Sequence, residues 1–446
     1  MNKILVLGAG KSSAYFFKYF QEINWNERLT VADKNIAYAE KFLSGNPLVD
    51  VVQLDIDDIE KTEKLISSHD VVVSMLPAFL HVKIAKICLK CKKHLITASY
   101  VSDEMRSLHN DAMNEGLIFL NEIGLDPGID HMTAMQVMDK IRSEGGKIRE
   151  FETFTGGLLE PGSEKDNPWK YKFTWNPRNV VLAGAGGPVK FIQEGQYKYI
   201  PYHRLFRRTE IIQIPGLGKF EGYANRDSLR YRELYGLQDA LTLYRGTLRR
   251  PGFCKGWHIF VQMGMTDDSY VMENSEELTF RQYTNSFLPY HPTDRVEIKL
   301  MHYLNIQQDD NDLMEKLEWL DMFNDEIKAG IQNATPAMYL QHILERKWTM
   351  TPEDRDMVVM WHKFVYYDAD GKLHEKQSSM HCIGESDIYS AMAKTVSLPV
   401  AIAARFICEG KIQEKGVVVP MHSSIYQPVL EELTKFDIKI QEWDIR

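Results

Sequence analysis

Lys3-Ile4-Leu5-Val6-Leu7-Gly8-Ala9-Gly10-Lys11-Ser12-Ser13 opens the chain with an apolar run that stops at a glycine turn. Such a run predicts a parallel strand covered on both faces. A helical segment from Ala14 to about Gln21 follows, so Gly8 to Ser13 form a strand-to-helix turn. A second strand, Leu29–Ala32, is closed by Asp33, 20 residues after Ser13. This is the spacing of a dinucleotide-binding turn. Gly8 permits the tight bend, Gly10 lets the backbone approach a pyrophosphate, and the helix N-terminus offers free N–H groups. Ser13 stands where a third glycine is usual and is small enough for close packing. Gly8, Gly10, Lys11, Ser12, Ser13 and Asp33 are therefore cofactor candidates. Asp33 suits ribose hydroxyls and favours NAD over NADP, Lys34 offsets part of its charge, and Asp55 lies where the adenine is expected.

Outward from this stretch, further strands are predicted at Val49–Gln53, Val71–Ser74, His94–Thr97 and Leu117–Asn121, with helices between most of them. Repeated strand-helix-strand units make the fold class α/β, a doubly wound sheet. At 446 residues the chain is long enough for two to four packed units. Apolar residues at 44% and charged residues at 26% are ordinary globular proportions. The net charge of −9 argues against a nucleic-acid partner, and no uncharged apolar stretch of about 18 residues predicts a membrane span. The start lacks a charged leader and a cleavage site. The five cysteines are scattered, so reduced thiols and a cytoplasmic location are expected. Cys88 and Cys91 read as two thiols on a helix, and no metal is expected. Asp368 and Asp370, beside a hairpin cue, lack the remaining oxygen ligands of a calcium loop.

Asn121-Glu-Ile-Gly-Leu-Asp126-Pro-Gly-Ile-Asp130-His131 follows a predicted strand at the carboxyl edge of the sheet, where ligands of open α/β sheets bind. Pro127 forces an extended or turn conformation at Asp126 and aims it into the cleft. Asp130 is expected to cap a helix from about Met132 to Ser143. Beyond Glu150 come β-like stretches at Glu150–Thr155, Phe191–Gln196 and Glu210–Gln213. Residues 201–255 hold eleven Lys and Arg against five Asp and Glu, a basic island that suits a small anionic ligand. Arg226 and Arg245, each in a loop-like setting, are its candidate carboxylate grips. The glycine run 184–187 has no strand-helix context and is discounted. Residues 309–327 read as one acidic helix with Leu313, Leu317 and Leu320 on its buried stripe. Ser390 to Glu409 reads as an apolar helix interrupted by Pro399. The strand-like Gly416–Pro420 and a helix from about Tyr426 to Lys435 follow.

These motifs resemble the saccharopine dehydrogenase family, most closely its glutamate-forming branch, saccharopine reductase. The resemblance rests on Val71-Val-Val-Ser-Met-Leu-Pro77, Thr97-Ala-Ser-Tyr100, Asn121 to His131, Gly156-Gly-Leu158, Tyr171-Lys-Phe-Thr-Trp175, Asn225-Arg-Asp-Ser228, Tyr244-Arg-Gly-Thr-Leu-Arg249 and Met392-Ala-Lys-Thr-Val. It implies a variant Rossmann domain formed by residues 1–125 with 390–446. It also implies an inserted mixed α/β substrate and dimerisation domain, 126–389, with a helix-rich part around 295–350. By position, Ser99, Tyr100, Asp126, Arg226, Arg245, Gly246 and Thr247 fall where the family holds saccharopine. Gly8 to Ser13, Asp33, Asp55, Leu76, Thr97, Gly124, Leu125, Pro127, Gly128, His131 and Trp175 fall where it holds the dinucleotide. The resemblance further implies a homodimer. Two departures stand out: the fungal enzymes use NADP and lack an acidic residue at position 33, and they tend to carry a cysteine where this chain has Thr155.

The implied reaction is the NAD(P)-dependent interconversion of saccharopine with 2-aminoadipate 6-semialdehyde and glutamate through an imine. Asp126, then Tyr100, are the candidate catalytic groups for its proton transfers. Two alternative readings are a carboxy-polyamine (carboxynorspermidine-type) dehydrogenase, whose cationic substrate suits the basic island poorly, and a non-catalytic NAD(P)-binding sensor.

Overall fold

Residues 2–23, 25–183, 187–307 and 310–445 are described by a computed structural model. Most of the 184–187 glycine run, and residue 309, lie outside them. The chain divides into two compact units, 1–148 with 366–446, and 149–365.

The first unit is built on strands β1 (Lys3–Leu7), β2 (Arg28–Asp33), β3 (Val49–Gln53), β4 (Val71–Ser74), β5 (His94–Ile96) and β6 (Ile118–Leu120). The strand Gly416–Val418 from the tail pairs with β6. The order across the sheet is Gly416–Val418, β6, β5, β4, β1, β2, β3, with all pairs parallel. Apolar runs became central strands because both faces are covered: Leu5, Leu7, Val72, Leu95 and Phe119 are each fully buried. Each such side chain contributes about 1.5–3 kcal/mol. The strand order reverses between β1 and β4. Their carboxyl ends therefore splay apart into the crevice such sheets use for ligands.

The expected end of this unit at residue 125 moves to 148, and its re-entry from 390 to 366. The helix Ile129–Ser143 belongs to it because Asp139 accepts a hydrogen bond from the Tyr426 hydroxyl of the helix Ser423–Thr434, at 2.6 Å. The strand Leu373–Ile383 joins it by pairing with Gln441–Asp444 at the end of the chain. The helix Ala391–Cys408 runs unbroken through Pro399, contrary to the expected interruption. Its burial offsets the hydrogen bond that Pro399 cannot make. The Ser397 hydroxyl accepts the Phe16 N–H at 3.1 Å where the helix Ala14–Glu22 crosses it. Among the described residues this is the one helix long and apolar enough to cross a membrane, and 78% of it is buried, as in a core helix.

The second unit carries a mixed sheet. Strands β7 (Lys147–Leu159), β8 (Val189–Gln193), β9 (Gln196–Ile200), β10 (Thr209–Ile214), β11 (Gly218–Ala224), β12 (Thr242–Arg249) and β13 (Asp356–Tyr367) supply it. The order is β10, β11, β12, β7, β13, with β8 pairing both β12 and β9. β12 runs parallel to β7 and antiparallel to β11. A helical part comprises Phe280–Ser286, Val296–Leu304, Asn311–Trp319 and Pro336–Trp348. The single helix expected over 309–327 thus ends at Trp319; Leu313, Leu317 and Leu320 are buried as expected, and Asp321 takes a left-handed turn at φ 60°.

Candidate functional site

In the first unit the turn after β1 has the form a phosphate cradle requires. Gly8 sits at φ 99°, and a Cβ there would lie 2.9 Å from the Met75 carbonyl, so glycine is obligatory. Gly10 has nothing within 4 Å of the place a Cβ would take, leaving open space beside its backbone. A single 3₁₀ turn, Lys11–Ser13, then feeds the helix Ala14–Glu22. The Ser13 hydroxyl donates to the Gly10 carbonyl at 2.7 Å, tightening the loop.

Asp33 faces this loop with both oxygens engaged. Oδ2 accepts the Ala9 N–H at 2.7 Å and Oδ1 the Asn35 N–H at 2.8 Å. The carboxylate expected at the ribose also braces the loop backbone and keeps further lone pairs for hydroxyl donors. Lys34 and Asp55 form an exposed ion pair at 3.0 Å. A backbone N–H from Asp57, and then Lys34, hold the Asp55 carboxyl below its ordinary range. Leu76 follows β4 and is partly exposed on that edge.

Past β5 and β6 two hydrogen-bonded side chains meet. The Tyr100 hydroxyl donates to Asp126 Oδ1 at 2.8 Å, bringing the two catalytic candidates together. Asp126 lies in a turn in which Gly124 N–H donates to the Pro127 carbonyl at 2.9 Å, and the Asp126-Pro127 bond is cis. Gly128, at φ 147°, has its missing Cβ position only 2.1 Å from the Gly124 carbonyl oxygen. Gly124, Leu125, Pro127 and Gly128 thus form one tight turn. Gly128, not Asp130, is the N-cap of the helix Ile129–Ser143. Asp130 instead reaches back, accepting the Gly128 N–H at 2.6 Å from inside the first turn.

His131, expected at the dinucleotide, has a fully buried side chain. Its Nε2 lies 3.0 Å from Glu122 Oε2, and Nδ1 lies 3.6 Å from Asp130. Burial between two carboxylates makes it a support of the loop rather than a surface toward a ligand. Glu122 was not anticipated. It adopts φ 57°, accepts the Val101 N–H at 2.9 Å, and donates its own N–H to the Ser99 carbonyl at 3.2 Å. It therefore brackets Tyr100 from both sides.

His81 was also missed. Its ring links Ser74 at the end of β4 to Thr97 and Ser99 beyond β5. Burial pushes its pKa down to about 4, so the ring is neutral near pH 7. An unfolded chain restores the ordinary 6.5. Between those values the unfolded state binds more protons, so stability is lost as pH falls from about 6.5 toward 4. The full shift is worth about 3 kcal/mol. Urea midpoints measured at pH 7.5 and pH 5 are expected to drop in the native chain, and His81→Gln should drop less; equal slopes would contradict the shift.

In the second unit Arg226 is exposed in a turn at φ 49°, its carbonyl accepting the Lys190 N–H at 3.0 Å. Arg245 is not in a loop as expected but inside β12. Its guanidinium lies 4.3 Å above the Tyr231 ring, and its backbone N–H donates to the Ser228 hydroxyl at 3.1 Å. The Asn225 N–H donates to the Arg245 carbonyl at 2.8 Å, tying Arg226's turn to the strand. Gly246 is required because a Cβ would meet the Phe154 ring at 2.1 Å. Thr247 pairs with Tyr223 and with Thr155 in the two neighbouring strands. Two residues further along the same face, buried Arg249 lies about 5–6 Å from the ring centres of Tyr171, Tyr223 and Phe253. The alternation Arg245, Thr247, Arg249 was a readable signal for a third cation, since period two puts all three on one side of a strand. Trp175 is 40% exposed.

Residues 4–120 match the family model described as the saccharopine dehydrogenase NADP binding domain, and residues 124–438 match the saccharopine dehydrogenase C-terminal domain. The chain is 32% identical over 450 residues to saccharopine dehydrogenase [NADP(+), L-glutamate-forming] of Schizosaccharomyces pombe, covering 99% of both. It is 33% identical to the mitochondrial alpha-aminoadipic semialdehyde synthase of Rattus norvegicus, covering 97% of this chain but 46% of that protein. Apo saccharopine dehydrogenase (L-Glu forming) from Saccharomyces cerevisiae superposes with a TM-score of 0.88 at 30% identity, over 100% of each chain.

Proposed function

The chain belongs to the saccharopine dehydrogenase family, and from that premise we propose that it interconverts saccharopine with glutamate and 2-aminoadipate 6-semialdehyde in lysine metabolism, with NADP as the preferred cofactor. The observation that carries this reading is the match along 99% of both chains to a relative named for the NADP(+)-dependent, L-glutamate-forming reaction.

In the oxidative direction the secondary amine of saccharopine loses a proton and the adjacent carbon a hydride, giving an imine. Water adds to the imine carbon, the C–N bond of the carbinolamine breaks, and glutamate and the semialdehyde separate. A bound NADP supplies the hydride acceptor. The open backbone at Gly10 and the tight turn at Gly8 fit its pyrophosphate. Asp33 favoured NAD by charge. However, its two N–H bonds spread that charge over the loop, and exposed Lys34 beside it offers a counter-charge to a 2′-phosphate. Asp126 exchanges protons with the reacting nitrogen and the carbinolamine oxygen, while the Tyr100 hydroxyl steadies its charged form. Ser99, at the carboxyl edge beside Tyr100, donates to a substrate oxygen. Arg226 and Arg245, with Arg249 as a third cation, answer the three carboxylates of saccharopine.

Saccharopine-dependent reduction of NADP and of NAD, followed by nicotinamide absorbance, tests both parts. The expected kcat/KM is higher with NADP. A higher value with NAD would make Asp33 the determinant of cofactor choice. Absence of turnover with either, in a chain that binds dinucleotide, would overturn the saccharopine reading.

A further inference from the structure

Ser74 closes β4, Thr97 to Ser99 follow β5, and His81 opens the helix His81–Cys91 that connects the two strands. The imidazole spans both strand ends at the carboxyl edge of the sheet. Nδ1 lies 2.8 Å from Ser74 Oγ, and Nε2 lies 2.8 Å from Ser99 Oγ and 3.1 Å from Thr97 Oγ1. His81 is 4% exposed, whereas Ser99 is partly open. We infer that His81 is a positioning residue that fixes the Ser99 hydroxyl as a hydrogen-bond donor toward the substrate. The inference rests on the reading of Ser99 as a substrate contact.

A neutral imidazole has one N–H and one lone pair, so its two sides must act oppositely. Two hydroxyl oxygens share Nε2. One lone pair serves two O–H donors poorly, whereas one N–H can be shared by two acceptors. Nε2 therefore carries the hydrogen, given to Ser99 Oγ and Thr97 Oγ1, and Nδ1 accepts the Ser74 hydroxyl. Thr97 Oγ1 also accepts the Ser99 N–H, at 3.3 Å, which pins the Ser99 backbone to the same point. With its oxygen already accepting from His81, Ser99 keeps its own O–H for a ligand. That donor matches an oxygen of a substrate carboxylate or of the carbinolamine, and it is wrong for an ammonium group. The opposite tautomer would make Nε2 an acceptor that competes with the ligand for the proton of the nearer hydroxyl, Ser99. One imidazole thus sets the polarity of a substrate contact while lying out of the substrate's reach.

The test is a double-mutant cycle on kcat/KM for saccharopine with Ser99→Ala, His81→Ala and the pair, alongside dinucleotide Kd by fluorescence titration. Each single variant is expected to lose about tenfold, the scale of one hydrogen bond. The pair should lose no more than the worse single, and dinucleotide Kd should stay within about twofold, the residual scatter of independent sites. His81→Gln, whose amide N–H reaches the Nε2 position, should recover part of the loss. It also serves if His81→Ala does not fold. Multiplying losses, an undiminished Ser99→Ala, or a dinucleotide Kd that rises as much as the saccharopine KM would overturn the inference. Failure of the native chain to turn over saccharopine would count against the proposed function instead, because the cycle needs that activity to be read.

Discussion

Asp126→Asn is expected to lower saccharopine turnover by about two to four orders of magnitude, the range for removing a general acid–base group. The amide cannot take a proton from the secondary amine or return one to the leaving nitrogen. Folding should be nearly untouched. Asparagine keeps an oxygen at the Oδ1 position, so the Tyr100 hydroxyl still has its acceptor, and the turn around Pro127 is held by backbone bonds from Gly124 and Ile129. Single-turnover kinetics with saccharopine bound will show whether the loss lies in chemistry. A near-native rate would clear Asp126 of proton transfer and pass the role to Tyr100.

Arg226→Ala carries the second large effect. A charge-assisted bond to a carboxylate is worth about 1.5–3 kcal/mol, so the saccharopine KM is expected to rise roughly 10- to 150-fold with dinucleotide affinity unchanged. Arg226 is the informative choice because it is exposed, whereas truncating buried Arg245 would also strip the packing over Tyr231. Arg226→Lys should recover little, since an ammonium cannot reproduce a two-pronged contact. Replacing saccharopine by an analogue with one carboxylate masked as an amide should shrink the difference between native and variant chains if Arg226 grips that carboxylate. A native KM in Arg226→Ala would remove it from the site.

The sheet of the first unit was legible because its strands are buried on both faces. Ile4 to Leu7 and Val71 to Val73 leave no polar alternation, and Gly8 and Asp33 punctuate the strands at the right distance. Asp126 and Tyr100 were legible because Pro127 and the glycines around it mark a turn at the carboxyl edge. The supports of that turn were not. Glu122 and His131 became partners only when a left-handed residue folded one carboxylate back toward Val101 and the His131 ring. His81 reads in sequence as the polar start of a helix, and nothing local signals that strand pairing sets Ser74 and Ser99 on its two sides.

Local chemistry alone determined the alternating α/β order, the cradle after β1 and the identity of the chemical groups, because these depend on periodicity and on turn residues a few positions apart. What those groups are bonded to was decided by tertiary structure. Asp33 gained a second task as a brace for Ala9, Asp130 turned from a cap into a partner of Gly128 and His131, and Arg245 from a loop residue into a strand residue stacked on Tyr231. Each change has the same origin. A charge or dipole drawn wholly or partly out of water must find a partner to offset its desolvation, and that partner is whatever the packed chain brings within hydrogen-bonding or ring-stacking reach.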